Sequence, residues 1–125
     1  MTDFAACAER LIDAYNAKDF ETLTSLVAPD IDMAHFNRGA AFSSADELVG
    51  VMKIFADGLA PDRKFQPAER VTTSGNTVVR EGYWTATATD DIPGFAAKDE
   101  AISLRLCSVM IFDDNGILIE WKDHG

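Results

Sequence analysis

The chain has 125 residues, 47% of them hydrophobic and 26% charged, which is length for one domain (1–125) with a real core and composition that excludes disorder. Eleven Lys and Arg against 21 Asp and Glu leave a net charge of −10. Such a surface repels nucleic-acid phosphate and anionic lipid, so neither is expected as a partner.

Asp3 is placed to cap a first helix whose apolar positions Phe4, Cys7, Leu11 and Tyr15 keep helical spacing. Asn16-Ala17-Lys18 interrupts it, Asp19 starts a shorter helix carrying Phe20, Leu23, Leu26 and Val27, and Pro29 marks its end. Ile31 to Phe36 reads as a strand with Ile31, Met33 and His35 on one face, followed by a loop over 37–41. Ser44 and Glu47 form a capping-box signature for a third helix with the face Leu48, Met52, Phe55 and Leu59, ended by Gly58 and Pro61.

Beyond Pro61 the period changes. Lys64 to Thr73 and Thr77 to Thr89 read as strands joined at Ser74-Gly75-Asn76, and 90–99, with Pro93-Gly94, as a loop. AISLRLCSVMIF and ILIEWKD then flank Asp113-Asp114-Asn115-Gly116, a hairpin turn in which Gly116 supplies positive φ. Helices first and strands later predict an α+β domain with helices over one face of a curved antiparallel sheet. The mouth of such a cone is a natural small-molecule pocket. Cys7 and Cys107 lie far apart without metal-ligand spacing and read as reduced thiols. The N-terminus has no basic-then-apolar pattern, and no stretch approaches a membrane span. The expectation is a cytoplasmic protein without a membrane partner.

The segments AERLIDAYNAKDFETLTSLVAPDI, PDRKFQ, IPGFAAKDEAISLRLCSVMIF and GILIEWKDHG together give a resemblance over nearly the whole chain. The chain resembles the nuclear transport factor 2-like superfamily, the group of SnoaL-like polyketide cyclases, ketosteroid isomerases and limonene epoxide hydrolases. The resemblance implies a cone-shaped α+β barrel, three N-terminal helices packed on a curved antiparallel sheet, with an apolar pocket. It also implies a homodimer formed through the outer sheet face, where Val109, Ile111 and Leu118 are expected.

Residue by residue, the resemblance is partial. WKDH is similar to the WRDY ending of the epoxide hydrolases, so Asp123 matches one catalytic aspartate. Their Arg-x-Asp pair falls on Gly82 and Trp84, which lack both groups. Their water-holding Tyr-x-Asn pair falls on His35 and Asn37, of which only the asparagine is kept. The ketosteroid isomerases' general-base aspartate falls on His35 and their polarising tyrosine on Leu11. The cyclases' Gly-Thr-His segment appears as Ala86-Thr87-Ala88, without the histidine. No single activity transfers intact.

The candidate catalytic residues are therefore His35, Asp123 and Asn37. A neutral imidazole in a shielded pocket takes up a proton near physiological pH, although an isolated strand histidine is also a common structural residue. Asp123 either orients that base or holds a water; its bland alternative is a carboxylate bonded to a Lys or to backbone amides near the terminus. Asn37 is a water or oxygen holder, or a turn former. Trp84, Tyr15 and Trp121 are the candidate pocket walls for an apolar ligand. Strand parity puts Asp123 with Ile119 and Trp121. His35 and Asp123 are thus expected in one cavity, the carboxylate taking its hydrogen bond from His35 or a water. No zinc pattern, phosphate-binding glycine loop or Ser-His-Asp order occurs, so chemistry without metal or cofactor is expected. Two function classes follow. One is an isomerase, cyclase or hydrolase acting on a small apolar carbonyl or epoxide compound. The other is a non-catalytic ligand-binding or assembly domain.

Overall fold

The computed structural model describes residues 2–125. Helix α1 (Phe4–Asn16) begins where the Asp3 carboxylate accepts from the Ala6 amide at 3.1 Å, and it buries Cys7, Leu11, Ile12 and Tyr15 along one face. Lys18, at φ 58°, turns the chain into α2 (Phe20–Ser25), capped by Asp19. Strand β1 (Val27–His35) starts before Pro29. The proline is accommodated where the pairing with the last strand slips, between Val27 and Asp32, so no ladder hydrogen bond needs its missing N–H.

The segment expected as a loop after β1 is more ordered than that. A 3-10 turn (Phe36–Arg38) leads through Gly39, at φ 64°, into the short strand β2 (Ala40–Phe42), which folds back on β1. Helix α3 (Ala45–Ile54) is capped by Ser44, whose hydroxyl accepts from the Glu47 amide at 3.2 Å, and ends in a wider turn over Phe55–Leu59. The single strand expected from Lys64 to Thr73 is two, β3 (Lys64–Phe65) and β4 (Arg70–Ser74), separated by the segment holding Pro67. Both pair with β5 (Thr77–Thr87), which pairs in turn with β6 (Ala101–Phe112). Strand β7 (Leu118–His124) closes the hairpin.

The sheet order is β2-β1-β7-β6-β5-β3, with β4 also on β5. The result is a curved, unclosed sheet with the helices packed on it, a cone-shaped α+β fold. One refinement of the expected antiparallel sheet is needed: β1 and β7 run parallel, so the sheet is mixed. That pairing is open to them because nearly the whole chain lies between them as a crossover.

A second difference concerns β7. Phe112 pairs with Leu118 but Ile111 with Glu120, so Ile119 is an extra residue in a bulge. Leu118 and Trp121 therefore both point inward while Ile119 faces out, 38% exposed. Strict alternation had placed Ile119 inside and Leu118 on the outer face. Asp123 keeps its expected side, since the bulge lies before Trp121. The core is built from Trp121, Phe112, Leu11, Leu23, Ile31 and Met110, all essentially inaccessible. Cys7 and Cys107 are free thiols. Among the described residues no helix is long and apolar enough to cross a membrane.

Candidate functional site

His35 closes β1 and Asp123 lies one residue from the end of β7, and the two are register partners across the parallel pair. Both line a cavity of about 200 Å³ whose wall is almost wholly apolar. Tyr15 reaches it from α1, Trp84 from β5 and Trp121 from β7. Thus five of the six expected site residues share one cavity.

Asn37 does not join them. It is exposed on the 3-10 turn and is absent from the cavity wall. The two-residue alternation that would have carried it to the face of His35 ends at His35, where the chain leaves strand geometry. On this turn Asn37 is not placed to hold a water or an oxygen in the cavity.

The polar groups of the cavity are few and each is distinctly held. Asp123 is 3% exposed and accepts from the Trp121 indole N–H at 2.7 Å. The expected donor was His35 or a water; the neighbour two residues back on the same strand supplies it instead. Burial pushes the Asp123 carboxyl above the usual range, against the opposing pull of hydrogen bonding from Ser108 and Trp121 and of the His35 charge. His35 is half-buried, and its Nδ1 is fully buried without a hydrogen-bond partner. Burial holds its pKa below the ordinary value; Asp123 raises it and Arg38 lowers it further. The imidazole is accordingly neutral at pH 7. The Trp84 indole donates to the Tyr15 hydroxyl at 2.9 Å. Burial pushes the Tyr15 phenol up as well.

Arg38 and Phe95 are among the lining residues that the sequence does not announce. Arg38, on the 3-10 turn, lies with its guanidinium 4.6 Å above the ring of Phe95, which comes from the loop before β6. Phe95 in turn packs edge-on against Phe55 and Trp84. A bulky aromatic beside Pro93-Gly94 in a polar loop was the signal available for Phe95; nothing local marks Arg38. Among the described residues no group of three or more His, Cys, Asp or Glu is placed to hold a metal ion.

Helices on a curved, unclosed sheet around an apolar cavity with a handful of held polar groups make this a nuclear transport factor 2-like fold. Within that class the chain belongs to the SnoaL-like domain family, which matches it over residues 8–121. A search of curated proteins finds no match. Among solved structures, the chain is similar to a proposed polyketide cyclase of Pseudomonas putida, at TM-score 0.84 and 13% identity over 100% of this chain and 92% of that one. It is similar to IdmH, a proposed polyketide cyclase of Streptomyces antibioticus, at TM-score 0.79 and 18% identity over 98% and 91%. A protein of Catenulispora acidiphila with a ketosteroid isomerase-like fold, solved in complex with trimethylamine, gives TM-score 0.76 and 12% identity over 95% of this chain and 84% of that one. At these identities the likeness is one of fold.

Proposed function

We propose that this protein is a cofactor-independent enzyme of the isomerase or cyclase type, acting on a small, mostly apolar carbonyl compound held in the cavity. The observation that carries the reading is the buried, unpartnered Nδ1 of His35 in a cavity shared with Asp123. An orphaned polar atom in a buried site calls for a partner, and a neutral imidazole there is a base. His35 takes a proton from the carbon next to the carbonyl, and the electron pair of that C–H bond moves onto the oxygen as an enolate. The Tyr15 hydroxyl donates a hydrogen bond to that oxygen. The imidazolium is balanced by Asp123 across the strand pair. Where a C=C bond is conjugated with the enolate, return of the proton from the imidazolium to the far carbon completes an isomerisation; attack of the enolate carbon on a second carbonyl of the same molecule breaks that C=O π bond, and the resulting alkoxide takes the imidazolium proton to complete a cyclisation. Carbonyl is favoured over epoxide because Gly82 and Trp84 stand where the hydrolases carry Arg and Asp. The protein works, in this reading, as a cytoplasmic homodimer.

The test needs no knowledge of the natural substrate. A panel of apolar cyclic ketones in deuterium oxide is followed by NMR for exchange at the carbon next to the carbonyl, with binding read by tryptophan fluorescence. Catalysed exchange that His35→Ala abolishes while binding persists is the expected result. Binding without exchange in the unaltered protein would move the reading to a ligand-storing or sensing domain.

A further inference from the structure

Arg63 is 2% exposed, and none of its three guanidinium nitrogens has a hydrogen-bond partner. No carboxylate forms an ion pair with it among the described residues, although Asp13 and Asp62 border the same outer depression together with Lys18 and Lys64. A buried guanidinium left in this state is costly, because no hydrogen bond or ion pair repays the loss of its hydration. Arg80, the other buried arginine, is better held: its Nε also lacks a hydrogen bond, but it gives another nitrogen to the Gln66 carbonyl at 2.7 Å and lies 3.5 Å from Glu9.

What Arg63 does touch is aromatic. Its guanidinium carbon lies 4.0 Å from the centre of the Tyr15 ring, with the Phe20 ring further off at 5.9 Å. Tyr15 lines the cavity and Arg63 does not. The phenol thus stands between a naked positive charge and the ligand space. At the far end of that ring the Trp84 indole donates to the hydroxyl oxygen at 2.9 Å, while the hydroxyl donates to no described residue. Its proton is free for a ligand. A cation over a ring face favours negative charge in the ring and on its oxygen far more than it favours the neutral phenol.

We propose that Arg63 acts through Tyr15 as the electrostatic half of an oxyanion site: the guanidinium beneath the ring strengthens the phenolic O–H as a donor to a ligand oxygen that bears negative charge. The ligand class is then a compound that presents an enolate, a phenolate or another anionic oxygen at Tyr15. This rests on the reading that the cavity takes a ligand at Tyr15, and it makes Arg63 a positioning residue that touches neither ligand nor reacting atoms. The opposing influence is Asp123, the other charge that acts on Tyr15; Arg63 lowers the phenol's pKa and Asp123 raises it. His35 and Arg38 complete the titratable and charged groups on the cavity wall.

The test reads the phenol itself, so its outcome is independent of any turnover. Tyr15 and Tyr83 are the two tyrosines. In a Tyr83→Phe background, tyrosine is replaced biosynthetically by 3,5-difluorotyrosine, a stronger acid that titrates while the protein stays folded, and its ionisation is followed by absorbance and fluorine NMR. Arg63→Met is expected to make Tyr15 at least tenfold less acidic, and Arg63→Lys, which keeps the charge, to restore most of the loss. Arg63→Gln, which keeps a flat polar head over the ring without charge, gives the same reading should the methionine variant not fold. An unchanged Tyr15 titration in a folded neutral variant overturns the proposal. Failure of the ketone exchange with a shifted Tyr15 titration would count against the catalytic reading alone.

Discussion

The Trp121 indole donates to the Asp123 carboxylate two residues further along the same strand, at 2.7 Å. A carboxyl this deeply buried is held by a neighbour whose ring is itself 1% exposed. The hydrogen bond ties Asp123 to its own strand at the position that is in register with His35 of β1.

That arrangement has a cost in stability that should be measurable. Burial raises the folded-state pKa of Asp123 above its unfolded value. The group therefore favours the fold below the unfolded pKa, and that contribution is lost as pH rises through the folded pKa. At pH 7 the carboxylate opposes folding. Asp123→Asn keeps an acceptor for Trp121 and removes the charge. It is expected to raise Tm at pH 7 by about 3 °C or more, the shift given by roughly 1 kcal/mol in a domain of this size. The gain should shrink towards pH 4, and ketone exchange should fall. A lower Tm at pH 7 would mean that the ionised carboxylate is a net stabiliser.

Trp121→Phe removes the donor and leaves the acceptor in place. An unsatisfied buried acceptor costs about 1–3 kcal/mol. The loss should be mostly cancelled when Asp123→Asn is combined with it, because a neutral amide tolerates the missing donor better than an anion. Urea unfolding of the two single variants and the double variant reads the coupling directly. Strict additivity would separate the two residues energetically despite their contact.

Much of this site was legible in the sequence, and the gaps have physical causes. Asp3, Asp19 and Ser44 announced their helices because capping is a local interaction between neighbouring side chain and backbone. His35 and Trp121 could be assigned to the inner face by two-residue alternation, which holds wherever a strand is regular. Ile119 and Leu118 defeated the same rule, since a bulge is set by pairing with β6 and not by the residues of β7 alone. Asn37 was misplaced for a kindred reason: the strand ends one residue after the histidine's predecessor, Ala34, at His35 itself. Arg38 and Arg63 depend on long-range packing against Phe95 and Tyr15, which no local pattern carries.

The rate of exchange should depend on pH through His35. Its folded pKa lies below the ordinary 6.5 because burial disfavours the imidazolium. The neutral base is therefore present down to pH values at which a free histidine is already protonated. The acid limb of the rate should fall below pH 6.5 and vanish in His35→Gln. Stability follows the same sign: the neutral histidine contributes fully above the unfolded pKa, and this is lost as pH falls through the folded one. An acid limb centred above 6.5 would show that Asp123 dominates the environment of His35 and would reverse the assignment.

The outer face of the sheet carries its own prediction. Val79 and Val109 are register partners on β5 and β6, and Ile111 pairs with Thr77 on one side and Glu120 on the other. These three are half-buried, and Ile119 beside them is 38% exposed. Around them lie Lys122 paired with Asp32, Arg105 with Glu69, and Arg70 with Glu81. An apolar centre inside a charged rim is the anatomy of a protein interface, and a second copy of the chain is its simplest occupant. The four apolar residues differ from the Val109, Ile111 and Leu118 patch that strict alternation predicts, because Leu118 turns inward and Ile119 takes its place. Light scattering at micromolar concentration should give twice the 13.6 kDa of one chain. Val109→Lys, which sets a charge at the centre of the patch, should halve that mass without lowering helix content. A single-chain mass for the unaltered protein would end the dimer reading and leave the face solvated.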